Sequence, residues 1–182
     1  MDLKNNMEIS LFMAMSANGM VARENGEEDF LSDANWELYC GLARKAGAII
    51  IGRKTYEDVK KYYNEYSFDD LTDVKKVILT RDKNFKIKGD YIIAHSPEDA
   101  LDKLSALGVR ESLVSGATVN TAFAKEGLLC NIVLAIEPVA IGKGISVFSK
   151  EEFDLDLSLE SVKQEKDGRV ILKYNAINKL MI

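Results

Sequence analysis

Three short stretches of this chain place hydroxyls, cations and small residues just where an apolar run ends. After "AIII" come Gly52, Arg53, Lys54 and Thr55. After "KVIL" come Thr80 and Arg81, and after "SLV" come Ser115, Gly116, Ala117, Thr118 and Val119. A helix that starts at such a point offers free backbone N–H groups and the positive end of its dipole, which suits phosphate. Guanidinium, ammonium and hydroxyl groups add charge-assisted hydrogen bonds. Glycine and alanine let a ligand come close to the backbone. Each stretch alone is equally a polar turn. Three together favour a nucleotide-type ligand.

The elements that must hold these groups alternate between strand and helix signals. Residues 8–15, "EISLFMAM", read as a strand. Residues 32–46 read as a helix opened by Ser32, with Trp36, Tyr39, Leu42 and Ala43 at helical spacing. "AIIIG" is apolar throughout and reads as a buried strand. "KKVILT" and "YIIAH" are two further short strands. Residues 96–108 form a strongly signalled helix, with Ser96 as cap, Pro97 in the first turn and Gly108 at the end. "ESLVSG" reads as a strand, "TVNTAFAKEG" as a helix and "NIVLAIEPVAIG" as a strand. In residues 154–177, alternation around "KDG" predicts an antiparallel hairpin. The pattern is α/β, with a mostly parallel central sheet and an antiparallel C-terminal end. Residues 62–73, aromatic and acidic, are read as the longest surface loop, able to line a site or cover a sheet edge. In an open α/β sheet ligands bind beyond the carboxyl ends of the strands, where all three polar stretches fall.

Composition narrows the possibilities further. A chain of 182 residues suits one domain, 1–182, with a real core. A net charge of −5 argues against a nucleic-acid partner but allows an anionic small ligand held by local cations. Cys40 and Cys130 lie far apart and His95 is the single histidine, so no metal site is expected. No segment reaches the length of a membrane span. The opening "MDLKNNMEISLFMAM" lacks the pattern of a secretory leader, which makes a cytoplasmic location the expectation. "GKGISV" starts the dinucleotide G-x-G-x-x-G pattern at Gly142 and breaks it at Val147, and no P-loop is present. With one histidine at a strand-to-helix junction, a hydrolase triad is disfavoured.

The order of these pieces resembles the dihydrofolate reductase-like superfamily, and within it the reductase domain of riboflavin biosynthesis, the RibD C-terminal type. "MSANGMVA" resembles the family's segment after the first strand. "LSDANWELYCGLARKAGAIIIGRKTYE" resembles its helix, strand and "GRxT" cofactor turn. "LVSGATVNTAFAKEGLLCNIVLAIEPVAIGKGISVF" resembles its Gly-Gly loop, helix and following strand. The likeness extends from about Met7 to Asn175. It implies a three-layer αβα fold and NADPH as cofactor. Gly52, Arg53, Lys54, Thr55, Thr80 and Arg81 would take the 2′-phosphate and pyrophosphate, with Gly116, Ala117, Thr118 and Val119 on the other side. Ala14 and the Asn18-Gly19 turn would edge the nicotinamide.

The resemblance also implies the chemistry. A hydride would pass to an electrophilic C=N or C=O carbon of a pyrimidine or pterin, in the manner of a 5-amino-6-(5-phosphoribosylamino)uracil reductase or of a dihydrofolate reductase. Asp33, three residues before Trp36, is the candidate catalytic acid, since a carboxylate at a helix start can orient such a ring and shuttle protons. It is equally a plain helix-start acid. Asn18 stands where riboflavin-type reductases usually carry Asp, Met20 where they often carry Lys, and Ser115 replaces the first glycine of the Gly-Gly pair. A nucleotide-binding protein without catalysis is therefore the reading from a different class. Such domains commonly pair as homodimers, and "NIVLAIEPVAIG" is the strand expected to serve that contact.

Overall fold

A computed structural model describes residues 7–63 and 66–177. Residues 1–6, part of the stretch read for a leader, lie outside it, as do residues 64 and 65 of the aromatic loop. One eight-stranded sheet runs in the order β5-β4-β3-β6-β1-β7-β10-β9. Its members are β1 (Glu8–Ser16), β3 (Ala48–Gly52), β4 (Lys75–Leu79), β5 (Ile92–Ala94), β6 (Glu111–Ser115), β7 (Asn131–Glu137), β9 (Asp156–Gln164) and β10 (Val170–Ile177). The first six of these pair parallel, and β7–β10 and β10–β9 pair antiparallel. The mostly parallel sheet with an antiparallel C-terminal end is thus the observed architecture.

Helices cover both faces because successive strand residues point to opposite sides. On one side, Tyr39 and Ala43 of α1 (Asp33–Ala46) and Val59 of α2 (Arg53–Tyr62) pack with Phe12, Ile49, Ile51 and Ile78. On the other, Leu101 and Leu104 of α3 (Pro97–Ala106) and Phe123 of α4 (Ala117–Lys125) pack with Leu11, Ile50, Val77 and Val114. The all-apolar run Ala48–Ile51 is fully buried for this reason. A small second sheet, β2 (Met20–Ala22) against β8 (Ile145–Ser146), ties the loop after β1 to the loop after β7. Strands of three and two residues leave no periodicity to read in sequence.

Three expectations need correction. The strand over "NIVLAIEPVAIG" ends at Glu137, where Pro138 has no N–H to continue the ladder. That strand also cannot offer its edge to a partner, because β1 and β10 occupy both sides of it. Among the described residues the sheet ends on β5 and on β9, and β9 is exposed along its whole length, with Leu157, Leu159 and Val162 bare. The stretch after α2 is more than a surface loop. A 3-10 turn at Phe68–Asp70 buries Phe68, and Leu71 follows it into the core.

Candidate active site

The carboxyl ends of β3, β4 and β6 open into one groove of about 940 Å³. The chain continues from β3 straight into α2 and from β6, through Gly116, into α4, so two helix N-termini face this space. Ten residues singled out in sequence line it: Gly52, Arg53, Lys54, Thr55, Thr80, Arg81, Gly116, Ala117, Thr118 and Val119. Gly116 has φ +106°, and a Cβ there would fall 2.5 Å from Thr55 Oγ1. Only glycine fits, and the two strand ends close to a bare backbone cradle. Arg53 lies over the Phe85 ring at 5.9 Å, and Lys54 Nζ is 3.0 Å from Asp58 Oδ2. His95 also lines the groove and donates from Nδ1 to the Thr80 carbonyl at 2.8 Å.

A narrower, largely apolar cleft of about 100 Å³ adjoins the groove. Ala14 and Asp33 line it. Trp36 stacks on Tyr39 with ring centroids 5.5 Å apart and 17° between planes, forming an aromatic wall. The Asp33 carboxylate accepts a hydrogen bond from the Tyr66 hydroxyl. The Tyr39 hydroxyl, also in this wall, is buried with no hydrogen-bond partner among the described residues, and burial pushes its pKa up. Such an unmet donor costs about 1–3 kcal/mol until something accepts from it.

Asn18 and Gly19 line neither cleft. The Asn18 amide instead donates to the Ile141 carbonyl at 2.7 Å and accepts from the Ile141 N–H at 3.0 Å, which clamps the β1–β2 loop to the loop after β7. Ser115 Oγ donates to the Phe12 carbonyl at 3.1 Å, so this hydroxyl joins β6 to β1.

Several contributors escaped the sequence reading. Ser32 sits at the N-cap of α1, yet its side chain makes no cap bond. Its hydroxyl donates to Glu137 Oε1 at 2.7 Å, and Asn35 Nδ2 donates to the same oxygen at 2.6 Å. Arg169 Nη1, from just before β10, donates to Asn35 Oδ1 at 2.8 Å. This buried network holds the start of α1, and Asp33 with it, from strands more than a hundred residues away. Glu28 is the second surprise. It lines both clefts, and burial, then the neighbouring Asp58, push its carboxyl up to about 7. Nothing in "ENGEEDF" distinguishes it from the acids around it.

Against known proteins, residues 8–172 match the model of the RibD C-terminal domain. The chain belongs to the RibD C-terminal domain family. The family is reductase-like, and the dihydrofolate reductase-like and RibD reductases use NADPH. The uncharacterized protein YwjB of Bacillus subtilis (strain 168) is 25% identical over 173 residues, covering 85% of this chain and 90% of that one. A crystal structure of a protein assigned to riboflavin biosynthesis in Shewanella sp. PV-4 shares the fold at TM-score 0.79 and 18% identity, covering 94% of this chain and 99% of that one. Dihydrofolate reductase from Enterococcus faecalis, solved with NADP(H) and RAB-propyl, gives 0.69 and 11% identity, covering 93% and 96%. These likenesses establish the three-layer fold for this RibD C-terminal domain. Among its described residues, no helix is long and apolar enough to cross a membrane.

Proposed function

We propose that this RibD C-terminal domain is an NADPH-dependent reductase acting on a pyrimidine related to 5-amino-6-(5-phosphoribosylamino)uracil. The observation that carries the reading is the convergence of three strand ends on one groove with a glycine cradle and three cations. The fit with NADPH is good. Gly116 leaves backbone room that any Cβ would fill, and the groove has the volume of a dinucleotide site. Arg53, Lys54 and Arg81 would take the 2′-phosphate, whose double charge rewards guanidinium and ammonium over the bare hydroxyl of NADH. Gly116, Ala117 and Thr118 would approach the pyrophosphate. When bound, NADPH supplies a hydride. The chain's own work is to hold a flat ring against the cleft, with Trp36 and Tyr39 as wall and Asp33 as hydrogen-bond acceptor. Closing the cleft against water also strengthens these polar contacts.

A second reading, reduction of dihydrofolate or another pterin, draws on Asp33 at the start of α1 beside Trp36. One assay separates the two. Purified protein is given NADPH with either 7,8-dihydrofolate or the phosphoribosylaminouracil, and loss of NADPH absorbance is followed. Faster loss with the uracil supports the proposed branch, and faster loss with dihydrofolate supports the other. NADPH binding with oxidation by neither would favour a non-catalytic nucleotide binder. Equal affinity for NADPH and NADH would contradict the role given to Arg53, Lys54 and Arg81.

A further inference from the structure

Hydride transfer to a C=N or C=O carbon leaves an electron pair on nitrogen or oxygen, and that atom needs a proton. Asp33 lies in the ring cleft, where its carboxylate accepts from Tyr66. It is absent from the place where the two clefts meet. Four residues line both clefts: Met13, Glu28, Thr55 and Ser115. Met13 has no proton to give, Ser115 has committed its own to the Phe12 carbonyl, and an alcohol such as Thr55 holds its proton far too tightly. Glu28 alone of the four is ionisable in the useful range.

We propose that Glu28, and not Asp33, is the proton donor of the reaction, standing where the cofactor groove joins the ring cleft, while Asp33 orients the ring. The assignment rests on the reductase reading above. Hydride adds to the carbon, the π pair of the C=N bond moves onto nitrogen, and nitrogen takes the proton of the Glu28 carboxyl. The substrate thereby gains one hydride and one proton, and the carboxylate left behind regains its proton from water in the open groove.

The surroundings of Glu28 suit a carboxyl that keeps its proton. Its backbone is held from two sides: its N–H donates to Tyr63 Oη at 2.6 Å, and its carbonyl accepts from Leu31 N–H at 2.9 Å. Among the described residues its carboxyl oxygens have no hydrogen-bond donor. The charged and titratable groups around it do not neutralise it. From α2 comes Asp58, which raises its proton affinity, and from the residue that caps this helix the neutral Tyr63. Lys54, which would turn to the 2′-phosphate, pairs with Asp58 at 3.0 Å, and on Glu28's own loop Arg23 pairs with Asp29 at 2.5 Å. Asp33 of α1 lines the same ring cleft. Asp58 is pressed against Gly26, two residues before Glu28, where a Cβ would fall 2.5 Å from its Oδ2, so the glycine leaves room for this acid against Glu28's own loop.

The test uses the whole chain, E28Q, E28D and D58N. Carboxyl ¹³C NMR of protein without cofactor should show one Glu titrating near 7, absent in E28Q and moved to lower pH in D58N. Turnover of whichever of the two probes is reduced should fall as pH rises through this range. E28Q should lose roughly 100-fold or more in kcat and lose that pH limb, with NADPH affinity within about twofold of the parent, and E28D should recover part of the rate. A Glu28 midpoint in the ordinary range of about 4–5 overturns the assignment. So does an E28Q enzyme that keeps the parent rate and pH profile while binding and oxidising NADPH. Failure of NADPH to bind at all overturns the reductase reading instead, and the role of Glu28 falls with it.

Discussion

The half-buried carboxyl of Glu28 should make the stability of the protein depend on pH in a way that one substitution removes. In the unfolded chain this group has its ordinary value of 4.5, and in the folded protein it is raised to about 7. Below the lower value both states hold the proton, and no stability difference arises. Between the two values the folded state binds more protons, so stability falls as pH rises. Above the upper value both states are ionised, and the folded protein carries the full cost of the half-buried charge. A shift of this size is worth about 3 kcal/mol, at roughly 1.4 kcal/mol per unit, and water entering from the groove brings it to about 2–3 kcal/mol. E28Q keeps the shape and removes the charge. The chain has a single tryptophan, Trp36, stacked in the ring cleft, so its fluorescence reports urea unfolding. Unfolding free energies should be compared at about pH 5 and about pH 8. The new amide has no partner and carries a constant cost at both pH values, so the quantity to read is the change between them. That change should be smaller in E28Q by about 2–3 kcal/mol. Parallel pH dependences in parent and variant would refute the claim that this carboxyl is raised.

Three other outcomes follow from the same geometry. G116A should lower stability by roughly 1–3 kcal/mol and weaken NADPH binding more than tenfold in a fluorescence titration, because the new methyl is strained at φ +106° and meets Thr55. R169A should cost about 1–3 kcal/mol in urea unfolding, because it leaves the buried Asn35 Oδ1 without a donor; it should raise KM for the ring substrate while leaving NADPH affinity unchanged. If two copies pair, the bare β9 residues Leu157, Leu159 and Val162 are the surface to expect, so light scattering should give twice the chain mass for the parent and one chain mass for L159E.

What was legible in the sequence divides along contact distance. The cofactor half is built from strand-to-helix junctions, each a few residues long, and ten groove residues could be read from "GRKT", "TR" and "GATV". The ring half depends on partners far apart in the chain. The Ser32 cap was readable as a helix start, but its diversion to Glu137 was not, because only the fold brings β7 beside α1. Glu28 sits in an acidic run and becomes special through enclosure beside Asp58, thirty residues on. Asn18 was readable as a turn residue near the cofactor, whereas its side chain spends both its amide groups on Ile141. The strand offered as a partner contact was apolar because it is central, buried between β1 and β10.

The Arg169–Asn35–Glu137 network bears on how the molecule is made as well as how it works. Helix α1 and the aromatic wall leave the ribosome early, but their anchors at residues 137 and 169 leave it late. Glu137 reaches the start of α1 once β7 lies beside β1, but Asn35 Oδ1 has no donor until Arg169, at the foot of β10, is synthesised. The strands and turns that hold phosphate, all complete by residue 125, have their partners earlier. A nascent chain should therefore acquire its nucleotide groove first and its ring cleft last, the second gated by a hairpin that touches no ligand.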